Sequence, residues 1–399
     1  FKHTDTPISA SVTRALYGTV LQNSVTRLEN FASCAFSHFL SYGLNLKERR
    51  ESGFYAVDFG NIFHAVLELF AEGIQRNNYS WFSITQEESE ALLTEAMEQA
   101  LFASHNLALY ENARSRYAKD RMLRILKRTV SALIYQVRKG KFIPDDFEVS
   151  FSYAEDLKSV NFRLSEEEKM QLKGRIDRID TCVNEDRLYV KIIDYKSGNA
   201  SFQFLNVYHG LQLQLVVYMN AAMEIMAKKH PDHSIVPAGI FYYHINDPMV
   251  ESDDNLSDEE LSKKIFGELK LNGIANEDRS VIERLDEELQ GAQSANSDVI
   301  PVGVNKDGSL KKASKTLATS DFTALSAYVN ETILHLGQRM MKGDVSVSPY
   351  ALAEKTGCDF CEFRSVCHFD SRAPGFSYRR LKELSEEELL CEMRGADHQ

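Results

Sequence analysis

The chain has 399 residues, of which 43% are hydrophobic, and a formal charge of -12. This length is sufficient to bury a sizeable core, and no apolar run approaches the roughly 18 residues of a membrane span. Residues 251–300 carry -9 of the net charge, and we interpret them as an acidic surface insertion of two short helices and loops. The remaining residues sum to only -3, so the acidic total does not exclude a polyanionic ligand.

Helices are predicted from about residue 26 to residue 140. Residues 60–68, Gly-Asn-Ile-Phe-His-Ala-Val-Leu-Glu, begin an apolar stripe with helical spacing. His64 lies off this stripe, with Glu68 one turn later. A histidine in such a place is more often a solvated or core residue, but it can also be a metal ligand with Glu68 as a supporting acid. Further along, the basic residues between Arg114 and Lys141 form a tract that either guides a phosphate backbone or is a solvated helix face.

Two paired strands follow, and they carry the most informative residues. In the strand Arg187–Lys196, alternation places Asp194 and Lys196 on the apolar face, while Tyr195 points the other way. The preceding strand carries Asp177 in Gly-Arg-Ile-Asp, and the polar residues 184–186 are a plausible turn between the two strands. We therefore expect Asp177 to lie beside Asp194.

Two neighbouring carboxylates and a lysine suit metal-assisted hydrolysis of a phosphodiester. Mg²⁺ prefers carboxylate oxygens, and it polarises a phosphate and lowers the pKa of bound water. Lys196 is placed to orient that water or to offset negative charge. The alternative is an ordinary hairpin with a surface Asp-Lys pair, so other elements must decide between the two.

The next elements complete an α/β pattern with a mixed sheet. A helical pattern runs to about Lys229 and places Gln214 and Tyr218 on one face. A buried strand is predicted near Ala238 to His244, and the C-terminal region is predicted to be helical.

Six cysteines and no secretory signal indicate a reducing compartment in which clustered thiols bind metal. Three of them form a C-x2-C-x5-C cluster between residues 358 and 367. Cys34 is the candidate fourth thiol, because Cys182 adjoins the paired strands and Cys391 lies in a polar tail. Spacing alone does not distinguish zinc from a [4Fe-4S] cluster. We call Cys34, Cys358, Cys361 and Cys367 together the cysteine cluster.

In order, Gly-x-x-x-His, Gly-x-x-Asp, Asp-x-Lys and Gln-x-x-x-Tyr resemble the motif series of RecB-type nucleases of the PD-(D/E)xK superfamily. The resemblance implies a restriction-endonuclease-like α/β core with helical additions. It also implies catalytic roles for Asp177, Asp194 and Lys196, and supporting or DNA-contacting roles for Gln214 and Tyr218. Asp180 has no role in that pattern, and we interpret it as a structural acid. The implied Mg²⁺ ligands are His64, Asp177, Asp194 and the carbonyl of Tyr195.

The cysteine arrangement and the flanking sequence are similar to the nuclease domains of AddB subunits of bacterial AddAB helicase-nucleases. The resembling segments are residues 24–34, 42–49 and 343–350, and one departure is Ala35, where proline is frequent in that family. The resemblance implies that the four cysteines hold a [4Fe-4S] cluster that ties the two ends of the domain together. Cas4-like or Dna2-like iron-sulfur exonucleases, and a catalytically weak DNA-end-binding clamp, remain as alternatives.

From this resemblance we expect a cytoplasmic, Mg²⁺-dependent exonuclease domain that degrades single-stranded DNA during double-strand break repair. The strand expected is the 5′-terminated one. Residues 1–25 would connect it to a preceding helicase-like region, and residues 26–399 would form the nuclease domain. The absence of a phosphate-binding loop G-x-x-x-x-G-K-[ST] agrees with a nuclease piece of a larger subunit. The expected partners are DNA single strands, duplex ends and an AddA-type helicase-nuclease subunit, with no membrane.

Overall fold

The computed structural model of the chain describes residues 6–48, 56–104, 113–151, 157–251 and 257–396. The side chain of Arg114 and residues 252–256 of the acidic segment lie outside this part. The helices of eight or more residues are α1 (Ala10–Tyr17), α2 (Val25–Ser33), α4 (Ala56–Arg76), α5 (Gln86–Ala103), α6 (Ala113–Arg138), α8 (Gln214–Lys229), α9 (Asp258–Glu268), α11 (Thr319–Met341) and α13 (Glu386–Ala396). The shorter helices are α3 (Ala35–His38), α7 (Phe204–Tyr208), α10 (Arg279–Leu285) and α12 (Arg364–Cys367).

A mixed six-stranded sheet forms the centre of the fold. Its order is β11-β8-β7-β6-β5-β2, with β6 parallel to β7 and antiparallel to β5. Two three-stranded sheets, β1-β4-β3 and β13-β12-β14, and the pair β10-β9 lie around it. The strands of the central sheet are β2 (Ile143–Ser150), β5 (Arg175–Asn184), β6 (Arg187–Lys196), β7 (Ser234–His244), β8 (Asn272–Asn276) and β11 (Thr316–Leu317). The other strands are β1 (Val20–Ser24), β3 (Asn161–Arg163), β4 (Lys169–Lys173), β9 (Ala295–Asn296), β10 (Gly303–Val304), β12 (Tyr350–Leu352), β13 (Lys355–Thr356) and β14 (Arg379–Arg380).

The predicted hairpin between β5 and β6 is confirmed. Its turn is formed by Glu185 and Asp186, and Glu185 adopts a left-handed φ of 55°, as tight hairpin turns require. The alternation along β6 is also as predicted: Val190 and Ile192 pack on one face, and Ile193 and Tyr195 pack on the other. Because both faces are apolar, helices cover the sheet on both sides.

Each face of the sheet has its own set of helices. The face with Tyr195 packs against α4, α5 and α6, and all five apolar residues of the predicted α4 stripe are buried there. The opposite face packs against α2, α8, α11 and α13. Helix α8 lies in the crossover between the parallel strands β6 and β7, which brings its first turn to the end of β6 where Lys196 lies. The stripe residues are Ile62, Phe63, Val66, Leu67 and Phe70.

Two segments differ from the sequence interpretation. Residues 251–300, expected to be a surface insertion, include β8, which pairs with β7 inside the central sheet, and α10, whose apolar side is buried. The interpretation of this segment rested on its net charge, and the acids beside these short apolar runs dominate that charge. Within the predicted connection of residues 1–25, Val20–Ser24 form β1, which pairs in parallel with β4.

None of the helices in the described ranges combines the length and the hydropathy needed to cross a bilayer.

Candidate acidic site and cysteine cavity

The strand register brings the two predicted aspartates together. Arg178 pairs with Ile193 in the β5–β6 ladder, so Asp177 and Asp194 lie opposite each other one step further along. Asp177 and Asp194 are 7% and 1% exposed, respectively. Asp177 Oδ2 accepts a 2.7 Å hydrogen bond from the backbone N–H of Tyr195, which fixes its orientation. The two carboxylates therefore share a buried position at the end of the hairpin strands.

His64 reaches this position from α4. Its Nδ1 lies 3.4 Å from Asp177 Oδ1, and its Nε2 lies 3.2 Å from the carbonyl oxygen of Tyr195. His64 therefore faces the acids and the Tyr195 carbonyl, the same groups that the sequence analysis grouped with it. Burial lowers the pKa of His64, but hydrogen bonds and charges from Asp177 and Glu148 outweigh burial and raise it to about 10. The acids thus favour a protonated imidazole, and a bound cation would replace that proton because a histidine that binds a metal must be neutral.

Glu148 is a further acid at this position, and the sequence analysis missed it. Its Oε1 lies 3.3 Å from His64 Nδ1, and its side chain is 8% exposed. Among the described residues, His64, Glu148 and Asp177 are the group of three or more potential ligands whose donor atoms all lie within 4.8 Å of one another. Glu148 belongs to β2 at a left-handed φ of 49°, in a strand whose pairing with β5 contains an irregularity. The three acids in Asp145-Asp146-Phe147-Glu148 were the available signal, but β2 had not been predicted.

The surroundings of Asp194 disfavour its charged form. Burial, and then the charge of Asp177, raise its pKa to about 7. Lys196 Nζ lies 2.7 Å from Asp194 Oδ2 and its charge partly opposes this rise in pKa, but the angles of the contact leave the buried oxygen without a well-aligned hydrogen-bond donor in the described part of the chain. A cation that binds the two aspartates would relieve this arrangement.

The predicted pair on α8 meets the lysine. Lys196 Nζ donates a 2.8 Å hydrogen bond to Gln214 Oε1, and Gln214 Nε2 donates a 2.9 Å hydrogen bond to the hydroxyl of Tyr218. Gln214 therefore holds Lys196 from the helix side of the sheet. We call His64, Glu148, Asp177, Asp194 and Lys196 the acidic site.

Asp180, by contrast, has a structural environment. It is completely buried and pairs with Arg178 and with Lys191, whose Nζ lies 2.9 Å from Asp180 Oδ2. Burial opposes its charged form, but these two cations outweigh burial and lower its pKa. The charge of Asp180 is thus already compensated.

Part of the basic tract is compensated by acids. Lys127 lies 2.5 Å from Glu90, and Arg124 and Arg128 both pair with Asp247. This arrangement favours the alternative of an ordinary helix face, here with paired charges, over a free phosphate guide for this part of the tract.

The four predicted cysteines line one cavity of 320 Å³, which we call the cysteine cavity. Cys34 follows α2 and is buried, whereas the other three are half-buried. Burial and then the neighbouring thiols raise the pKa of Cys367 to about 11, and burial also raises the pKa of Cys34. Cys182 lies in the core under the sheet and Cys391 is exposed on α13, so neither belongs to this cavity.

Residues 22–368 match the model of the PD-(D/E)XK nuclease superfamily. Relatives that are named as subunits of an ATP-dependent helicase/deoxyribonuclease are similar over almost the whole chain. The protein from Lachnoclostridium phytofermentans is 39% identical over 387 residues, and that from Alkaliphilus metalliredigens is 36% identical over 386 residues, each covering 96% of this chain. The protein from Clostridium kluyveri is 34% identical over 377 residues, or 94% of this chain. The chain spans about a third of the length of these relatives, namely 32%, 33% and 32% in the order given.

The family match covers the hairpin, the helix with His64 and the cysteine cluster, and the fold has the mixed sheet that the sequence predicted. The chain belongs to the PD-(D/E)XK nuclease superfamily.

Proposed function

We propose that this chain is the Mg²⁺-dependent DNA nuclease domain of a helicase-nuclease subunit. The observation that carries the proposal is the convergence of three potential ligands, His64, Glu148 and Asp177, beside the buried Asp194 and Lys196. Hard oxygen donors with one imidazole fit a divalent cation, and the buried Asp194 Oδ2 is paired with Lys196 but has no well-aligned hydrogen-bond donor in the described chain. The relatives' name supports DNA as the substrate and a larger helicase-containing protein as the context.

Each residue of the acidic site has a separate task in this proposal. His64, Asp177, Asp194 and the carbonyl of Tyr195 hold the metal, as expected from the sequence, and Glu148 is added as a further ligand or as the acid that orients His64. When bound, Mg²⁺ supplies Lewis-acid activation of the phosphate and of water. Lys196 remains outside the ligand set because an ammonium group has no lone pair, and it is positioned by Gln214 to orient water or to offset charge on the phosphate.

Lys196→Ala tests this assignment. We expect Mg²⁺-dependent cleavage of a labelled single-stranded oligonucleotide to be abolished while Mg²⁺ affinity, measured by calorimetry, stays at the wild-type value. Lys228→Ala, at the far end of α8 from Gln214, is the matched control and should cleave normally. Loss of Mg²⁺ affinity in Lys196→Ala would instead make Lys196 a structural residue.

Glu148→Gln tests the residue that the sequence did not reveal. A weaker Mg²⁺ affinity with an unchanged fold is expected if its carboxylate binds the metal, since metal-supporting groups typically contribute about 10–100-fold. Glu68→Gln is the control: burial and then the charge of the nearby Glu148 raise the pKa of Glu68, but Glu68 is not in the group of converging ligands.

For the cysteine cavity we propose a [4Fe-4S] cluster. A tetrahedral zinc site has Zn–S bonds near 2.3 Å, which places its sulfurs about 3.8 Å apart. No three of these thiols form a group within 4.8 Å among the described residues, and the cavity of 320 Å³ is much larger than a single ion requires. Both observations favour a larger inorganic group. Iron and sulfide analysis of anaerobically purified protein tests this, and zinc without iron would reject the cluster.

The relatives and the sequence resemblance support a proposal about the complex in which this chain acts. We propose that the chain acts with an AddA-type helicase-nuclease subunit in the cytoplasm, degrading the 5′-terminated strand at double-strand breaks. Oligonucleotides labelled at either end, tested with and without the partner subunit, establish the polarity. Release of the 5′-terminal label as short fragments is expected.

A further inference from the structure

Helix α8 begins without a cap of its own. Its N-cap residue is Leu213, whose side chain accepts no hydrogen bond, and its first turn contains no acidic residue. The first backbone N–H groups of any helix lack partners within the helix and need an acceptor from elsewhere. This helix end carries Gln214, so an unsatisfied first turn would leave the residue that holds Lys196 poorly fixed.

Glu29 supplies the missing acceptor from α2. Its Oε1 accepts hydrogen bonds from the backbone N–H of Leu213 at 2.7 Å and of Gln214 at 3.2 Å. These residues are 184 and 185 positions apart in the sequence, so the cap is a tertiary contact and not part of a local motif. A carboxylate at this end of a helix also has a favourable interaction with the helix dipole.

A single residue, Gln214, connects this cap to Lys196. The backbone of Gln214 is bonded to Glu29, and the side chain of Gln214 accepts the 2.8 Å hydrogen bond from Lys196. Lys196 is in turn 2.7 Å from Asp194. A shift of the first turn of α8 would therefore be transmitted directly to the ammonium group.

We propose that Glu29 is a positioning residue for the nuclease reaction, acting through Gln214 to hold Lys196 in its productive place. This inference rests on the proposed function, because it presupposes that Lys196 takes part in hydrolysis. The hydrogen bonds that Glu29 makes to the described part of the chain go to this helix end, and its charge also acts on Lys196. Cys34 is the C-cap residue of α2, so the same helix leads from Glu29 to the cysteine cavity.

The test compares Glu29→Ala, Glu29→Gln and Glu224→Ala in the full chain. Glu224 is a matched control on α8: it likewise accepts two remote backbone N–H groups, from Lys158 and Ser159, but lies ten residues beyond Gln214. We expect kcat for Mg²⁺-dependent cleavage of a single-stranded oligonucleotide to fall about tenfold or more in Glu29→Ala, since small misplacements of a catalytic group have such effects. KM and Mg²⁺ affinity should stay unchanged. Glu29→Gln should recover most of kcat because its amide oxygen accepts the same bonds, and Glu224→Ala should keep the wild-type kcat.

A double mutant decides whether the effect passes through Gln214. Glu29→Ala combined with Gln214→Ala should be no slower than Gln214→Ala alone, because residues that act through one another are not additive. Additive losses, or a wild-type kcat in Glu29→Ala, would overturn the inference.

A wild-type chain without Mg²⁺-dependent cleavage would reject the proposed function, and amide hydrogen exchange then tests the cap alone. Faster exchange of the Leu213 and Gln214 amides in Glu29→Ala would support the cap and unchanged exchange would overturn it.

Discussion

In the acidic site, three of the five residues lie on the adjacent strands β5 and β6, and the hairpin register alone aligns Asp177 with Asp194. In the cysteine cavity, short strands and turns bring together residues from opposite parts of the chain: Cys361 Sγ is 4.0 Å from the hydroxyl of Ser37, 324 residues away. The hydrogen-bonded strands of the sheet thus hold the aspartates of the acidic site in place. The cysteine cavity has few regular elements of its own to hold its walls together.

This difference indicates what each inorganic group contributes. At the acidic site a cation would offset repulsion between acids that the fold already holds, so its loss should affect activity more than folding. At the cysteine cavity a cluster would supply bonds that join distant segments, so its loss should affect folding first. Substitutions in the two regions should therefore separate activity from stability.

The largest expected effect is on stability, in Cys34→Ala. Linking segments more than 300 residues apart contributes up to about 5–6 kcal/mol on the chain-entropy model for disulfides, an upper figure because unfolded chains retain structure. We expect increased protease cleavage near both ends, loss of the brown colour that an iron-sulfur cluster would give, and weaker binding of DNA ends. The exposed Cys391 provides the control, since Cys391→Ala should leave all of these unchanged. Unaltered proteolysis of Cys34→Ala and Cys361→Ala would show that the cavity does not tie the segments together.

The next largest effect is expected at Asp180, which lies in the same sheet as the acidic site. Asp180→Ala leaves Arg178 and Lys191 buried without their acid, and breaking such a buried network typically costs about 3–5 kcal/mol. Denaturant unfolding measures this loss. An Asp180→Ala variant as stable as the wild type would contradict the structural role of this residue.

Asp194→Ala is the counterpart, because it removes an equally buried aspartate whose charge is poorly compensated. We expect Mg²⁺-dependent cleavage to fall by more than about 100-fold, the upper range for groups that merely support a metal. Stability should be unchanged or higher, because repulsion from Asp177 is relieved. Cleavage at the wild-type rate would reject the site assignment, and a loss of stability would contradict the proposed contrast with Asp180.

A smaller effect is expected in the pH dependence of stability at Glu29, which lies between the two regions. Burial raises the pKa of Glu29 to about 7, although the Leu213 and Gln214 amides and Lys196 oppose this. The pKa of Glu29 is higher in the folded chain than in the unfolded chain. Its contribution to the free energy of unfolding is therefore fully present below about pH 4.3 and is lost as the pH rises through 7. The wild type should therefore lose stability relative to Glu29→Gln between pH 5 and pH 8, by less than about 3 kcal/mol. Denaturant unfolding at these two pH values measures the difference.

Glu224 is the control for this titration. Burial opposes its charged form, but the amides of Ser159 and Lys158 lower its pKa below the ordinary value. The contribution of Glu224 to the free energy of unfolding is lost only as the pH falls below the ordinary range of a glutamate. The stability of the wild type relative to Glu224→Gln should therefore show no comparable change between pH 5 and pH 8. An equal slope for both variants would argue against a specific effect at Glu29.

The parts of the fold that depend on local periodicity could be predicted from the sequence. Alternation placed Asp194 and Lys196 on one face of β6, and the helical stripe identified the buried side of α4. The pairing of Gln214 with Tyr218 follows in the same way from their spacing of four residues on a helix. In each case the residues whose spacing allowed the prediction lie within one helix, one strand or one hairpin.

The parts that depend on tertiary pairing could not be predicted. Glu148 reaches the acidic site only because β2 pairs with β5 across an irregular register, and its left-handed backbone is unusual for a glutamate. Strand β8 was hidden because its five residues, Asn-Gly-Ile-Ala-Asn, have weak strand propensity and gain their burial from β7. Glu29 bonds a helix end 184 residues away, a distance over which no periodic pattern extends.

The position of α2 also has a consequence for the timing of biosynthesis. Ser37 on the segment after α2 is synthesised 324 residues before its neighbour Cys361. At about 5–20 residues per second, the ribosome needs roughly 15–65 s to cover that interval. During this time the apolar side of α2, with Leu28 and Phe31, lacks part of its covering. The nascent chain would thus pass through an extended interval of vulnerability to aggregation and proteases, and chaperone engagement during translation would matter more for this domain than for one assembled from sequential neighbours.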